Sequence, residues 1–214
     1  MIEFIKCNIS NAAFVKEALD IYINSFPSNE RHPLDIIKER INKQKSILYV
    51  GIEDTKINCF ALIWNLHESN FILLDYFAVE EKHRNKGIGT MFYNYLLNEI
   101  SKLERFLILE VEKPKNKFDI SKTNRINFYL KNKTQILKDT PYILPALDST
   151  TNTEMVLMIA EGQKCRDLTK AKIKKLIEQI YFELYQRDNK DLLLLSFIEK
   201  IPKSINLTKQ IKYG

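Results

Sequence analysis

Residues 73–97 read LLDYFAVEEKHRNKGIGTMFYNYLL, and this stretch decides the fold. Its first seven residues are apolar except for Asp75, which is typical of a buried strand. Beyond residue 88, apolar residues recur at helical spacing, at Met91, Phe92, Tyr95, Leu96 and Ile100. The stretch therefore predicts a strand, a loop and an amphipathic helix, in that order.

The loop between this strand and helix contains Gly87 and Gly89, two of only five glycines in the chain. A residue without Cβ lets backbone N–H groups approach a ligand, and the start of a helix adds partial positive charge. Arg84 and Lys86 contribute side-chain charge beside them. The loop is therefore suited to binding a phosphate or pyrophosphate.

Two familiar phosphate-binding motifs do not fit this loop. A dinucleotide fingerprint requires a third glycine at position 92, where Phe92 stands. A P-loop requires Gly-Lys-Ser/Thr, whereas Lys86 precedes Gly87 here. The remaining alternative is a glycine-containing entry into a helix that binds no ligand.

Periodicity predicts further elements on both sides of the loop. Apolar residues from Val15 to Phe26 predict a helix that Pro27 ends, and other helices are predicted at 34–44 and 122–131. Strands are predicted at 2–6, 47–52, 57–66, 70–79, 106–111 and 154–160. Helices at 169–187 and 192–198 follow a short polar connection at 162–166. We expect a mixed α/β (α+β) fold, with a catalytic domain at 1–160 and a helical extension at 161–214.

The stretch 73–97 resembles the signature segment of the GNAT superfamily of N-acetyltransferases, whose loop reads Gln/Arg-x-x-Gly-x-Gly/Ala. Arg84, Gly87 and Gly89 fill the three defined positions. Asn85 stands where glycine is frequent, and asparagine tolerates left-handed backbone better than most residues. The resemblance extends more weakly over residues 2–160 and does not cover the tail. It implies a mostly antiparallel central sheet flanked by helices.

The resemblance also implies acetyl-CoA as cosubstrate, with its pantetheine in a gap where the strand ending at 76–79 splays from the strand at 106–111. The backbone of that first strand would pair with the pantetheine amides, and one N–H there would polarise the thioester carbonyl. The residues expected to bind the cosubstrate are Phe77, Ala78, Val79, Arg84, Asn85, Lys86, Gly87, Ile88, Gly89 and Thr90.

Direct attack of a primary amine on a thioester needs an acid for the leaving thiolate and a base for the amine. The resemblance implies that Tyr129, within a predicted helix, lies beside the CoA sulfur and is the acid. A packing role is the alternative. The family often has an asparagine seven residues earlier, where this chain has Lys122, so no asparagine role is carried over.

Glu110 and Glu112 are the candidates for the base, because they lie two apart on one face of an otherwise apolar strand. Partial burial would raise the pKa of a carboxyl there toward the useful range. Asp75 and a water chain are competing candidates. Equally open is a structural role in which these carboxylates form salt bridges with Arg105, Lys113 or Arg125.

The amino-acid composition limits which binding partners and which cellular compartment we expect for this protein. The net charge of +6 comes mainly from residues 161–214, which hold 12 lysines and arginines against 7 aspartates and glutamates. No nucleic-acid-binding signature, membrane-spanning run or metal-binding spacing accompanies it, so we expect no nucleic-acid partner, no membrane partner and no metal. Cys7, Cys59 and Cys165 form no CxxC motif, which favours a reduced, cytoplasmic protein.

The tail predicts a strongly amphipathic helix whose apolar stripe has to pack against something. We expect it to dock on its own chain, while exchange with a second subunit in a homodimer is the alternative. Two other functions remain open: an acyl-CoA-binding protein without catalysis, and an interaction protein whose basic tail binds an acidic partner. The acceptor amine does not follow from the sequence.

Overall fold

The structure is a computed structural model that describes residues 1–7, 10–147, 151–160 and 168–213. It has a mixed α/β fold with a mostly antiparallel sheet flanked by helices, as predicted. Contacts divide the chain into two units, one of Met1–Asn65, Leu73–Glu99 and Leu147–Ser149, the other of Leu66–Ile72, Ile100–Ala146 and Thr150–Gly214. The division at residue 160 stays a prediction. The 162–166 connection and Cys165 lie outside the described residues.

Among the residues that the structure describes, the first unit contains three strands, three helices and most of a fourth strand, with the first two residues of that strand and the last two of the third helix assigned to the second unit. The strands follow the order β1 to β4, and β1–β2 and β2–β3 pair antiparallel, with Val50 opposite Phe60. Their bounds are β1 Glu3–Lys6, β2 Ser46–Glu53, β3 Lys56–Asn65 and β4 Phe71–Val79. The helices are α1 Ala12–Ser25, α2 Leu34–Asn42 and α3 Ile88–Ser101.

The core of this unit forms where α1 and α2 pack on apolar strands. Tyr22 of α1 and Ile37 of α2 are both fully buried in it, together with Val50 and Phe60 of the strands. The Asn11 side chain accepts the backbone N–H of Phe14 and caps α1 at its start. Burial of a large apolar side chain contributes about 1.5–3 kcal/mol, so this cluster is the main stabilising feature of the unit.

In the described part of the chain, the second unit contains five strands and three helices. The strands neighbour one another in the order β5, β8, β6 and β9, and β7 also pairs with β8. All four of these pairings are antiparallel. The strand bounds are β5 Phe106–Glu112, β6 Thr134–Leu137, β7 Tyr142–Leu144, β8 Thr153–Ala160 and β9 Leu207–Thr208. The helices are α4 Ile120–Lys131, α5 Lys170–Tyr185 and α6 Leu192–Ile198.

The C-terminal helix α5 buries its apolar stripe within this unit. Thr169 caps the helix by accepting the Lys172 N–H, and the Tyr181 hydroxyl donates to the backbone carbonyl of Ile143. The stripe residues are at most 1% exposed: Ile173, Leu176, Ile177, Ile180 and Leu184. The stripe is therefore buried against residues of the same unit, and exchange with a second subunit stays an open alternative.

Three short strands were not predicted from the sequence. The four residues of β6 and the two of β9 are too short to show a period of two. The three residues of β7 lie between Pro141 and Pro145, which by themselves indicate a loop. Pairing with β8 makes β7 a strand, and this long-range contact is not visible in local sequence.

Gly51 lies at an irregularity of register between β2 and β3, where a side chain has no room. A Cβ atom there would stand 2.4 Å from Cys59 Sγ and 2.9 Å from the Phe4 ring. Both neighbours are held in packed surroundings, so neither can move cheaply.

We therefore expect Gly51→Ala to lower the free energy of unfolding by about 1–3 kcal/mol, the usual effect of overpacking. Urea denaturation followed by circular dichroism measures the change. The double variant Gly51→Ala/Cys59→Ala removes the closest clashing atom and should recover part of the loss. A Gly51→Ala protein as stable as wild type would show that the strands separate there without cost.

Candidate functional site

The loop between β4 and α3 has a backbone conformation that few residues adopt. Asn85 has φ of 61° and Gly87 has φ of 80°, both in the left-handed region. A Cβ added to Gly87 would meet no atom within 4 Å. Glycine at this position is thus favoured by the backbone angle rather than by a lack of room, and the space beside it is open to a ligand.

The N-terminus of α3 directs backbone donors into this loop. The Gly87 carbonyl accepts the Met91 N–H at 3.1 Å, which is the first hydrogen bond of the helical ladder. The N–H groups of Ile88, Gly89 and Thr90 precede it, and first-turn donors have no carbonyl one turn back. Together with the helix dipole, these donors form an environment that favours an anion.

The side chains around the loop carry both signs of charge. Arg84 Nε donates to the Val79 carbonyl at 3.0 Å, which ties this exposed side chain to the end of β4. Lys86 is exposed. The Glu80 carboxylate lies 2.9 Å from Lys82 Nζ and 3.6 Å from His83 Nε2. The charged neighbour of the His83 ring is therefore a carboxylate of the same loop.

Strand β4 is held against α3 by aromatic packing. The Phe77 ring stacks on Phe92 with centroids 5.5 Å apart and meets Tyr93 edge-on at 5.9 Å. Ala78 is buried beside it, and Val79 is half-buried. This packing fixes the last residues of β4 relative to the start of α3.

Asp75 lies earlier on β4 and is paired within the core of the first unit. Its side chain is 6% exposed and lies 3.6 Å from Arg40, whose guanidinium also lies over the Trp64 ring. Burial raises the pKa of the Asp75 carboxyl to about 6, although the charge of Arg40 acts in the opposite direction. Burial, aided by Arg40, lowers the pKa of the adjacent His32 to about 3.

In the second unit, Glu110 accepts hydrogen bonds from two tyrosine hydroxyls. Tyr142 of β7 donates to one carboxylate oxygen, and Tyr185 of α5 donates to the other at 2.9 Å. Burial raises the pKa of Tyr142 well above its ordinary value, and the charge of Glu110 adds to the effect. The carboxylate on β5 is thereby held by a neighbouring strand and by the C-terminal helix.

Glu112 forms an ion pair with a residue of α4. Its carboxylate lies 2.5 Å from Lys122 Nζ, which also lies 3.5 Å from Asp119. The hydrogen bond with Glu112 raises the pKa of Lys122. Two of the three suggested partners are engaged elsewhere, since Arg105 donates to the carbonyls of Leu66 and Ser69 and Lys113 pairs with Glu154.

Tyr129 lies in the last part of α4 and is 8% exposed. Its ring meets that of Phe128 edge-on at 5.1 Å. Burial raises the pKa of the phenol to about 12, with Arg125 acting in the opposite direction. The hydroxyl therefore carries its proton at neutral pH.

The sequence was compared with models of known protein families. The acetyltransferase (GNAT) family matches residues 15–129, which span more than half of the chain. The chain belongs to the acetyltransferase (GNAT) family. The expected family and the expected enzyme class, acyltransferase, are thereby confirmed. No curated protein matches the sequence.

Solved structures share the GNAT fold at low sequence identity. A GNAT-family protein from Bacteroides thetaiotaomicron, assigned as an acetyltransferase, has a TM-score of 0.71 and 21% identity and covers 87% of this chain and 99% of its own. An aminoglycoside 6'-N-acetyltransferase complexed with coenzyme A has a TM-score of 0.59 and 14% identity, with coverage of 77% and 99%. The corresponding enzyme from Enterococcus faecium has a TM-score of 0.58 and 15% identity, with the same coverage.

The predicted site residues of this GNAT protein fall into the two units. The first contains the expected cosubstrate residues from Phe77 to Val79 and from Arg84 to Thr90, together with Asp75. The second contains Glu110, Glu112 and Tyr129. Their roles remain predictions. Among the described residues, no group of three His, Cys, Asp or Glu could hold a metal, and no helix is long and apolar enough to cross a membrane.

Sequence reasoning missed the partners of the three carboxylates. Arg40 pairs with Asp75, and the tyrosines Tyr142 and Tyr185 donate to Glu110. One signal was available for Tyr185, which follows Tyr181 by one turn on the buried side of α5. A polar group at the edge of an apolar stripe indicates that its hydroxyl has a partner inside.

The raised pKa of Asp75 predicts a pH-dependent stability. Folded Asp75 keeps its proton to about pH 6, whereas an unfolded aspartate releases it near pH 3.8, so its contribution to stability is lost as pH rises between these values. The difference in the free energy of unfolding, wild type minus Asp75→Asn, should decrease by about 3 kcal/mol as the pH rises from 3.8 to about 6.

Chemical denaturation at half-unit pH steps measures this difference. The effect of His32 has the opposite sign and cancels to first order, because both proteins contain that residue. Asp35→Asn changes an exposed aspartate on α2 and is the control for net charge. A difference that stays constant from pH 4 to pH 6 would mean that Asp75 is charged throughout.

Proposed function

We propose that this GNAT protein is an acetyl-CoA-dependent N-acetyltransferase that transfers an acetyl group to a primary amine by direct attack. The observation that carries the proposal is the left-handed backbone at Asn85 and Gly87 directly before α3, in a chain of this family. The first N–H groups of the helix have no carbonyl one turn back, so they would be available to a pyrophosphate.

Cosubstrate binding is assigned to the first unit. The backbone from Arg84 to Thr90 would hold the pyrophosphate, and the charges of Arg84 and Lys86 would neutralise it. The backbone of Phe77, Ala78 and Val79 would pair with pantetheine, on a strand that the Phe77 to Phe92 stacking keeps in place. Acetyl-CoA supplies an activated thioester carbonyl.

The proposed reaction is the transfer of one acetyl group, in which one bond forms and one bond breaks. The neutral amine nitrogen forms a bond to the carbonyl carbon, the carbon–sulfur bond breaks, and the sulfur leaves as thiolate. Tyr129 would give its proton to that thiolate, while a base takes the proton from the amine. A phenol whose pKa is about 12 is a weak acid, but apolar burial raises the pKa of a thiol as well, which reduces the mismatch.

Glu110 and Glu112 are proposed for the base, with Asp75 and water as alternatives. Glu110 already accepts hydrogen bonds from two hydroxyls, which fix the position of its carboxylate. Glu112 is neutralised in part by Lys122. The pKa of about 6 for Asp75 lies nearer to the operating range of a base, although that carboxyl is buried.

These engaged carboxylates favour a second candidate function, an acyl-CoA-binding protein without catalysis. Such a protein needs the β4 to α3 loop and has no use for a carboxylate that accepts a proton. The ion pair of Glu112 and the hydrogen bonds of Glu110 fit structural roles equally well.

The remaining expectations are proposals of the same kind. Burial raises the pKa of the thiols of Cys7 and Cys59, which makes them unreactive, and buried thiols of this kind suit a reducing compartment such as the cytoplasm. We keep the catalytic assignment for residues 1–160, with 161–214 as the extension, and a state of monomer or homodimer. Light scattering decides the last point.

Release of CoA from acetyl-CoA over a panel of amines separates the two functions. The panel contains polyamines, amino acids, aminoglycosides, peptides and lysine-containing proteins, and each is compared with a reaction that contains no amine. Amine-dependent release supports the acetyltransferase. Tight CoA binding without release for any amine would favour the binding protein.

Gly89→Asp should abolish the rise in melting temperature that millimolar CoA gives to wild type, because it adds a carboxylate where the pyrophosphate is expected. A ligand that binds only the folded protein stabilises it by RT ln(1 + [L]/Kd). Asn94→Asp adds the same charge at an exposed position five residues further along α3 and should keep the full shift. Equal shifts in wild type and Gly89→Asp would place the CoA site elsewhere.

Tyr129→Phe should lower kcat by about 10²-fold or more and leave CoA affinity nearly unchanged, if the phenol is the acid. Steady-state kinetics with saturating acceptor and calorimetry with CoA measure the two quantities. Tyr213→Phe removes an exposed hydroxyl and is the control. An unchanged kcat would give Tyr129 a packing role.

Tyr185→Phe should move the acidic limb of the kcat/KM profile to higher pH if Glu110 is the base, because a carboxylate that loses a donor gains a proton more easily. Tyr181→Phe is the matched control, since that hydroxyl on the same helix donates to the Ile143 carbonyl instead. Identical profiles for the two variants would point to Glu112, Asp75 or water.

A further inference from the structure

The second unit contains a cavity at a place where the sheet changes partner. Strand β8 pairs with β6 along Met158–Ala160 and with β7 along Thr153–Met155. The chain between these two partners, residues 138–141, leaves the sheet, and α6 packs beside β7. A cavity of about 610 Å³ opens between them, which lies within the size range of small-molecule sites.

Most of the cavity wall is apolar and well fixed. The Tyr142 and Phe197 side chains are each 2% exposed, and their rings lie 6.0 Å apart in an edge-on arrangement. The Tyr142 hydroxyl is held by Glu110, so this part of the wall cannot turn away easily. The other apolar lining residues are Ile136, Leu137, Ile143, Met155, Val156 and Ile211.

The polar part of the lining has an excess of positive charge, with four lysines against two carboxylates and no arginine. Lys113 pairs with Glu154 at 2.9 Å, and Lys212 pairs with Asp139. In the part of the chain that the structure describes, Lys138 and Lys200 have no such ion pair, and both are exposed at the cavity. An anion bound at the cavity would provide a counter-charge for these two lysines.

We infer that this cavity binds a small amphipathic anion, with an apolar body against Tyr142 and Phe197 and a carboxylate or phosphate group at Lys138 and Lys200. A neutral ligand of the same shape leaves the two lysines without a partner, and a cationic ligand is repelled by them. A lysine ammonium is a point charge and lacks the planar, bidentate geometry of an arginine guanidinium. The two lysines can therefore bind either a carboxylate or a phosphate group.

This ligand is distinct from the proposed cosubstrate. All of the lining residues lie between Lys113 and Lys212, and none belongs to the β4 to α3 loop. The site does not depend on catalysis, and a protein without acetyltransferase activity would keep it.

Calorimetry and thermal shift on the full chain test the site with four matched ten-carbon probes below their micelle-forming concentrations. These are decanoate, decyl phosphate, decanol and decylamine. We expect saturable one-to-one binding of decanoate, decyl phosphate or both, and the stronger of the two identifies the head group. Decanol and decylamine should bind at least about tenfold more weakly, given the strength of a charge-assisted contact.

Two variants connect binding to this cavity. Lys138→Gln/Lys200→Gln should weaken the binding of the anionic probes by about 10- to 100-fold. The control variant Lys190→Gln/Lys203→Gln makes the same charge change at exposed lysines outside the lining and should leave their binding unchanged. Ser196→Trp keeps both lysines but fills the cavity from an exposed position of α6, and should also abolish binding. Equal affinity for decanol and decanoate, no binding of either anion, or unchanged binding in the two test variants would overturn the inference.

Discussion

Ionisable side chains on strands β4 and β5 need partners, because these strands are otherwise apolar and a charge without a partner is costly to bury. Asp75 has Arg40, Glu110 has two tyrosine hydroxyls, and Glu112 has Lys122. Each partner comes from a different element, so several parts of the chain provide the positive charges and hydroxyl donors around these three carboxylates. Removal of one partner would leave a buried or half-buried carboxylate with less compensation for its lost hydration, which is costly.

The same requirement explains how the C-terminal helix is attached to the second unit. Its apolar stripe provides most of the free energy of packing, but apolar contact alone does not fix rotation or register. Two hydroxyls on adjacent turns, those of Tyr181 and Tyr185, donate to the Ile143 carbonyl and the Glu110 carboxylate. Directional hydrogen bonds thus set the position of a helix that hydrophobic burial keeps in place.

Much of the fold was predictable because its main elements have strong local periodicity. The hairpin strands β3 and β4, the helix α3 and the helix α5 were all predicted within a few residues of their ends. Strand β7 was missed because its three residues lie between two prolines, and its strand character comes only from pairing with β8. The Gly87 loop was found from glycine spacing, and its left-handed backbone agrees with that reasoning. The partner of Glu110 was not predictable, since Tyr185 is 75 residues away along the chain.

The attachment of α5 through Tyr185 has a consequence for how this chain can diverge. A strand carboxylate, a strand tyrosine and a tail tyrosine form one hydrogen-bonded group, so a substitution at any of the three changes the selection on the other two. Tails exchanged between related proteins would be accepted only when the recipient strand carries a matching acceptor. We therefore expect the tail and the sheet to change together rather than independently.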